Sequence, residues 1–331
     1  MNLHKRISLL VRLGDYIKSD ENTFNEIREQ AYFHNRWFTT AFTGYAGSVF
    51  GENVLTQNRL EAFSNAYGIP DYQQDPKTIG LVMAGNIPMV GLHDMVCIFL
   101  SGHRQMIKFS SKDSILMKHL AEKLIAWEPD VAAYIHWNDL LKDCDAYIAT
   151  GSDNSSRYFE AYFSKYPHII RKNRTSIAIL TGQENDDELA NLADDVHIYF
   201  GLGCRNVTQI FVPEGYNFEA LLNQFRRYNY FKDHEKYRNN FDYQLTIAIM
   251  NNRFYMSNDS IVLLENENPF SPISQLHYQF YKHQEEITGK LDMNKIQCIA
   301  GQGFTPFGKA QTPEIGDFPD GIDTMQFLCG L

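Results

Sequence analysis

The chain has 331 residues, 44% hydrophobic and 21% charged, so it is long enough to bury a large core and to form two domains. Its net charge of −10 argues against a nucleic-acid partner held by bulk electrostatic attraction. The five cysteines are widely spaced, odd in number and include no CxxC pair, so they suggest no disulfide framework and favour a reducing compartment. No cluster of histidines and cysteines in the sequence has the spacing of a metal site.

The first 75 residues are predicted to form a helical region with many aromatic side chains. The opening segment, MNLHKRISLLVRLGDYI, is typical of an amphipathic helix and not of a signal peptide, because Arg12 and Asp15 interrupt its apolar run. Packing is the expected role of the aromatic side chains, and lining an acyl pocket is the alternative. These side chains are Phe33, Trp37, Phe38, Phe42 and Tyr45.

Residues 79–100, IGLVMAGNIPMVGLHDMVCIFL, form the longest apolar segment. Asn86, Pro88, His93 and Asp94 lie within it and would be costly in a bilayer. We therefore expect a buried strand, a turn and a buried helix here, no integral membrane segment, and a cytoplasmic protein.

From residue 78 onward, short apolar strands alternate with amphipathic helices, which predicts βαβ units and a mainly parallel sheet. The predicted strands are IGLVMAG, QMIKF and AYIAT, and the predicted helices are MVGLHDMVCIFLSG, ILMKHLAEKLIAW and SRYFEAYF. Ligands bind at the carboxyl ends of such strands, so the turns with Asn86, Ser110 and Ser152 are candidate ligand sites.

A second α/β section is predicted from residue 176 to about residue 300. Its predicted strands are SIAIL, VHIYF, VTQIFV, QLTIAIM, SIVLL and IQCIAG. The tail that follows is expected to be rich in loops and to end in a strand-like segment, TMQFL.

Cys204 follows two glycines within VHIYFGLGCRNVTQIFVP, residues 196–213, on a tight connection between two predicted strands. Gly201 and Gly203 allow a positive φ and a close approach of another backbone or a substrate. Asn206 stands where the third glycine of a dinucleotide-binding motif belongs, which excludes that motif. The residues alone leave two roles open for Cys204, a small buried hydrophobic side chain or a nucleophile.

Together these motifs resemble the aldehyde dehydrogenase superfamily and, within it, the acyl-CoA reductase family that includes the LuxC fatty-acid reductase of bacterial luminescence. The matching segments, in the family's order, are GNIP (85–88), MIKFSS (106–111), TGS (150–152), FGLGC (200–204), NPFSP (268–272) and TPFGKAQTPEIGDFPDGIDTMQFL (305–328). The resemblance covers most of residues 78–331.

The resemblance implies an α/β fold of the aldehyde dehydrogenase type. The helical region predicted from the residues at 1–75 would precede a Rossmann-type nucleotide-binding domain at 76–175 and an α/β catalytic domain at 176–301. Residues 302–331 would close the fold or serve in oligomerisation.

The resemblance also implies roles for single residues. Cys204 would be the nucleophile, and its backbone N–H together with the Asn86 amide would stabilise the oxyanion. From its residues alone, the GNIP turn needs Asn86 only as a turn former before Pro88. The residues that would bind the cofactor are Lys108, Ser110, Ser111, Gly151, Ser152, Asn268 and Phe270.

The absence of one residue type decides the expected reaction. Oxidising members of the superfamily use a glutamate to activate water. When IIRKNRTSIAIL (169–180) is aligned with their Glu-Leu-Gly-Gly-Lys segment, Ile170 stands in place of this glutamate. Isoleucine cannot act as a general base. Nearby His168 is the candidate substitute, although a structural role beside Pro167 is the expected one. The prediction is therefore NAD(P)H-dependent reduction of an acyl-CoA, including a fatty acyl-CoA, to an aldehyde, with coenzyme A as co-product. The alternatives are an acyl-phosphate reductase of the same fold and a non-catalytic cofactor-binding relative.

The choice of cofactor follows from charge. Many relatives that prefer NAD have a glutamate where this chain has Ser111, which is followed by Lys112. A carboxylate repels a 2′-phosphate, whereas a hydroxyl beside an ammonium accommodates it, so NADPH is favoured over NADH. Asn268 stands in place of the glutamate that faces the nicotinamide ribose in relatives, with Glu267 beside it.

Relatives often pair through a C-terminal strand, and TMQFLCGL is the segment of this chain that would serve. We therefore expect a homodimer. The substrate would be a small molecule, an acyl-CoA, with no nucleic-acid or membrane partner.

Overall fold

In a computed structural model, which describes residues 1–19, 21–151 and 153–331, the chain divides into two compact units. The first unit contains Met1–Asn173 and Pro313–Leu331, and the second contains Arg174–Thr312. Of the tail, residues 302–312 belong to the second unit and residues 313–331 to the first. No helix in the described ranges is long and apolar enough to cross a membrane.

The N-terminal part of the first unit is helical. Its helices are α1 (Leu3–Lys18), α2 (Asn22–His34), α3 (Thr40–Asn53) and α4 (Gln57–Ala66). The Asn2 side chain caps α1, and Gly47 lets α3 pack closely on it: a Cβ at Gly47 would lie 2.6 Å from the Ile17 carbonyl oxygen. Of the aromatic side chains considered for an acyl pocket, Phe38 and Phe42 are buried and Phe33 is exposed.

The sheet of the first unit is parallel, and its strand order is β3-β2-β1-β4-β5. The strands are β1 (Thr78–Val82), β2 (Arg104–Lys108), β3 (Ile135–Trp137), β4 (Ala146–Thr150) and β5 (His168–Arg171). The intervening helices include α5 (Leu92–Ser101), α6 (Ser114–Trp127) and α7 (Asp153–Phe163). The strand order reverses between β1 and β4, and ligands of parallel α/β sheets bind outside the carboxyl ends of strands at such a point.

The second unit has its own mainly parallel sheet, with the order β11-β6-β7-β10-β9-β8. Its strands are β6 (Thr175–Ile179), β7 (Val207–Pro213), β8 (Met256–Ser257), β9 (Val262–Glu265), β10 (Gln275–Tyr281) and β11 (Ile296–Gly301). Its helices include α8 (Asp186–His197), α9 (Glu219–Phe225), α10 (Glu235–Met250) and α11 (Glu285–Lys290). The α/β architecture expected from the sequence is confirmed in both units.

Two segments predicted as strands belong to helices in the second unit. QLTIAIM forms the last turns of α10, where Leu245 and Ala248 pack against Val262 and Leu264 of the sheet. VHIYF is divided, because α8, which begins with a capping box, continues through His197 before a short 3-10 turn follows. The strand predictions for these segments were wrong, because a short β-branched run fits the buried face of a helix equally well.

The strand-like end of the tail is also helical. TMQFL lies in α12 (Thr324–Cys329), whose N-terminus is capped by the side chain of Asp323. Met325 and Leu328, three residues apart, are both buried, as helical spacing requires. The segment expected to pair with a second copy is therefore not a strand, and the dimer stays a prediction.

A buried polar cluster joins the tail to the rest of the first unit. Arg171, at the end of β5, forms an ion pair with Asp94 of α5 and donates a hydrogen bond of 2.7 Å to the Thr324 hydroxyl. His93 contacts the Ile315 carbonyl oxygen at 2.9 Å. Burial alone would raise the pKa of Asp94, but the charge of Arg171 and the neighbouring His93 lower it to about 2. Asp94 is therefore ionised and paired in the folded protein.

Replacing Asp94 by alanine should lower the free energy of unfolding by about 3–5 kcal/mol, because it leaves the Arg171 charge buried without its partner. Urea denaturation measures the loss. Glu122→Ala is the control, since it removes an exposed ion pair with Lys118 and should cost no more than about 1 kcal/mol. Equal losses in the two variants would contradict a stabilising role for the buried cluster.

Candidate active site

Cys204 lies on the connection between α8 and β7 of the second unit and is half-buried. Its carbonyl oxygen accepts a hydrogen bond of 3.0 Å from the Ser176 hydroxyl of β6. The same hydroxyl lies 3.1 Å from the sulfur of Cys298, which is also half-buried. The backbone of Cys204 is thus hydrogen-bonded to the sheet, while the residue remains partly exposed.

The approach to Cys204 adopts a rare backbone conformation. Tyr199, Phe200 and Gly201 have successive φ values of 58°, 57° and 75°, in the left-handed region. Only glycine adopts this region without strain, and each of the other two residues costs about 1–2 kcal/mol there. The Phe200 ring packs on Phe231 and Tyr237, with centroid distances of 4.6 and 5.6 Å, which offsets part of this cost.

The Asn206 side chain stabilises the backbone of this connection by hydrogen bonds. The side chain is fully buried, and its Oδ1 accepts a hydrogen bond of 2.8 Å from the backbone N–H of Gly203. Its Nδ2 donates to the carbonyl oxygens of Asp195, Val196 and Ile198 at 3.1, 3.3 and 2.8 Å. One amide therefore satisfies backbone groups on both sides of the strained turn, a role that the sequence analysis missed.

Two titratable side chains at the end of α8 were also missed. Asp195 accepts backbone hydrogen bonds from Gly308 and Ala310 at 2.7 and 3.1 Å, and burial raises the pKa of its carboxyl to about 7. Burial lowers the pKa of His197 to about 4, and its ring stacks on Tyr228 with centroids 4.5 Å apart. His197 is therefore neutral at pH 7 and packed in the core.

Asn86 lies in the first unit, in the turn between β1 and α5, and is exposed. The turn is tightly seated, because a Cβ at Gly85 would lie 2.5 Å from the Ser110 hydroxyl oxygen. Met89 has a φ of 57°, and its backbone N–H donates to the Asp113 carboxylate at 2.8 Å. The contacts on both sides of Asn86 are thus made by residues 110–113.

The predicted cofactor residues of the first unit follow the ends of neighbouring strands. Lys108 is the last residue of β2, and both Lys108 and Ser111 are exposed. The Ser110 hydroxyl accepts a hydrogen bond of 3.3 Å from the backbone N–H of Lys112. Gly151 follows β4, where a Cβ would lie 2.8 Å from the Phe159 ring of α7. Asn86 and these residues therefore lie at one edge of the sheet. Ser152 lies outside the described residues.

Asn268 and Phe270 lie in the second unit, between β9 and β10. The Asn268 Oδ1 accepts a hydrogen bond of 3.1 Å from the Phe270 backbone N–H, as in an Asx turn. The Thr208 hydroxyl donates to the Pro269 carbonyl oxygen. Thr208 lies in β7, the strand that follows Cys204, so this loop is fastened to the same strand.

Several solved structures share the fold of this chain. Aldehyde dehydrogenase 21 from Physcomitrella patens, in complex with the reaction product succinate, is 12% identical with a TM-score of 0.69 over 100% of this chain and 84% of that chain. An aldehyde dehydrogenase from Mycobacterium tuberculosis complexed with NAD+ is 12% identical with a TM-score of 0.63 over 87% of this chain and 70% of that chain. An NADP-dependent glyceraldehyde-3-phosphate dehydrogenase from Bacillus halodurans C-125 complexed with NADP is 12% identical with a TM-score of 0.63 over 91% of this chain and 74% of that chain. The chain has the aldehyde dehydrogenase fold.

A narrower resemblance comes from the sequence itself. Residues 71–221 match the family model described as acyl-CoA reductase (LuxC). The matched range contains the turn of Asn86, the segment at Lys108 and the connection with Cys204, so the resemblance to this family is confirmed there. No curated protein matches the chain.

Asn206→Ala should lower the free energy of unfolding by about 3 kcal/mol, because it leaves buried backbone groups without partners. Chemical denaturation measures the change. Asn240→Ala is the matched control, since the half-buried Asn240 amide on α10 donates a solvent-exposed hydrogen bond to the Lys236 carbonyl oxygen, so its effect should stay within about 0.5 kcal/mol. Similar losses in the two variants would show that Asn206 does not brace the connection.

Proposed function

We propose that the protein is an NAD(P)H-dependent acyl-CoA reductase that forms an aldehyde through a thioester on Cys204. The observation that carries the proposal is the position of Cys204: a half-buried thiol on a braced, strained connection inside the range that matches the acyl-CoA reductase family. A rigid backbone around a nucleophile holds it in the orientation for attack, and this arrangement is typical of sites for covalent catalysis.

In the proposed reaction, the Cys204 thiolate attacks the carbonyl carbon of the acyl-CoA, and the coenzyme A thiolate leaves and takes up a proton. The Asn86 amide and the Cys204 backbone N–H would donate to the oxyanion as the tetrahedral centre forms. A bound nicotinamide nucleotide would supply hydride to the thioester carbonyl. Collapse of the resulting centre releases the aldehyde and restores the Cys204 thiolate. The sum is acyl-CoA, NAD(P)H and a proton giving aldehyde, coenzyme A and NAD(P)+.

The side chain at position 170 supports reduction over hydrolysis. Ile170 lies in β5, where oxidising relatives would have a glutamate that activates water, and it offers no proton acceptor. The neighbouring His168 is exposed and its Nδ1 contacts the Tyr166 carbonyl oxygen at 2.8 Å. A thioester at such a site would persist long enough to react with hydride or to return its acyl group to coenzyme A.

Exposed side chains at the sheet edge of the first unit support the choice of a nicotinamide nucleotide with a 2′-phosphate. Lys108, Ser111 and Lys112 are exposed there and offer two ammonium groups and a hydroxyl. The carboxyl group of Asp113, close by in sequence, is buried and contacts the backbone N–H of Met89, and burial raises its pKa well above the usual range. The two ammonium groups and the hydroxyl support NADPH as the preferred cofactor, because they would bind its 2′-phosphate. Among the fold relatives one structure holds NAD+ and another NADP, so both nucleotides need to be tested.

Rapid mixing with radiolabelled acyl-CoAs of graded chain length should place label on Cys204, and hydroxylamine should remove it. Cys204→Ala should carry no label, whereas Cys298→Ala, a second half-buried cysteine, should be labelled normally. Asn86→Ala should slow acylation about a hundredfold, because it removes one oxyanion donor. Absence of label from every acyl-CoA would refute the proposal, and labelling by acyl phosphate alone would indicate an acyl-phosphate reductase.

Ser111→Glu should reduce kcat/KM for NADPH by on the order of tenfold relative to NADH, because its carboxylate would repel the 2′-phosphate. Steady-state assays with both nucleotides measure the ratio. Ser48→Glu, an exposed serine on α3, is the control and should leave the ratio unchanged. An unchanged ratio in Ser111→Glu would contradict the placement of the 2′-phosphate.

A further inference from the structure

Asp113 occupies a helix-capping position without capping the helix. It directly precedes α6, where an aspartate side chain ordinarily accepts a hydrogen bond from the first turn, yet no such bond is made. Its Oδ2 instead accepts a hydrogen bond of 2.8 Å from the backbone N–H of Met89, in the turn that carries Asn86. The Asp113 side chain is 2% exposed, and its Oδ1 has no hydrogen-bond partner within the described part of the chain.

The contact with Asp113 stabilises a turn whose backbone is buried and strained at Met89. Met89 is fully buried and has a left-handed φ of 57°, a conformation that persists only where the surroundings fix it. Its N–H has no access to water, so without Asp113 a buried donor would be left unpaired. Pro88, the preceding residue, has no N–H to offer as an alternative anchor.

Residues 110–113 also contact the start of the turn, at Gly85. Gly85 packs so closely on this loop that a Cβ would lie 2.5 Å from the Ser110 hydroxyl oxygen and 3.2 Å from the Asp113 Cβ. Asn86 is therefore bracketed by two contacts with residues 110–113. This loop is itself supported by the end of α2, where His34 contacts the Ser111 carbonyl oxygen at 2.6 Å.

We propose that Asp113 is a positioning residue: by binding the Met89 N–H and seating Gly85, it fixes the direction of the Asn86 amide relative to the loop of Ser110 and Ser111. This inference rests on the proposed function, in which Asn86 donates to the oxyanion and that loop contacts the cofactor. A buried carboxyl group serves this purpose because one of its oxygens accepts the N–H while its own position is set by the start of α6. The oxyanion donor and the cofactor loop are then parts of one rigid structure.

The test uses three variants of the full chain and two readouts. Asp113→Ala removes the contact, Asp113→Asn keeps an oxygen that accepts the Met89 N–H, and Asp323→Ala removes an aspartate that caps its own helix, α12. Hydrogen exchange of residues 84–92 reports the turn directly and needs no activity. Single-turnover acylation by acyl-CoA reports the oxyanion donor, and thermal denaturation reports general stability.

In Asp113→Ala, we expect faster exchange in residues 84–92 and acylation slowed roughly tenfold. Asp113→Asn should recover most of both, and Asp323→Ala should change neither even if it unfolds at a lower temperature. In the Asn86→Ala background, adding Asp113→Ala should slow acylation no further, since a positioning residue acts only through the group that it positions.

Unchanged exchange in Asp113→Ala, full additivity with Asn86→Ala, or equal losses in Asp323→Ala would each overturn the inference. If the wild-type protein is not acylated at all, the proposed function fails, and the role as a positioning residue for catalysis fails with it. Exchange would still decide whether Asp113 holds the turn, so the two failures can be told apart.

Discussion

The position of the candidate nucleophile depends on satisfying the backbone of a strained turn without water. Tyr199, Phe200 and Gly201 turn in the left-handed region, and the carbonyl groups and N–H around them cannot all bond within regular structure. The Asn206 amide supplies both a donor and an acceptor at this point. Because an amide is neutral, this contact avoids the desolvation cost of a buried ion. The turn can then be rigid while the thiol beside it remains partly exposed.

The two turns that carry the proposed reactive groups share one design. Each lies where a helix and a strand meet, each contains a non-glycine residue with positive φ, and each is held by a buried polar side chain that bonds to backbone groups. Asn206 serves this role beside Cys204, and Asp113 serves it beside Asn86. In both cases the supporting side chain lies in the core and the supported one lies nearer the surface, which separates the task of orientation from the chemistry.

Sequence patterns predicted the parallel sheets because their strands are short apolar runs separated by amphipathic helices. They failed for VHIYF and QLTIAIM, since a β-branched run of this length has the same composition in either type of element. Cys204 could be proposed from the sequence because its glycine-rich approach lies beside it in the chain. Asp113 could not, because its partner is the backbone of Met89, 24 positions away, and a contact with a distant backbone N–H leaves no pattern in the sequence.

The first unit is formed by two parts of the chain that are far apart in sequence, and this affects its folding during synthesis. Arg171 and His93 are synthesised early, yet their partners Thr324 and Ile315 belong to the last segment of the chain, after all of the second unit. On the ribosome, the guanidinium can pair with Asp94, but the hydroxyl and carbonyl contacts must wait until residues 313–331 emerge. The nascent first unit is therefore incomplete while the second unit is translated. During that interval its unfinished surface stays exposed, and this is when a chaperone would bind it.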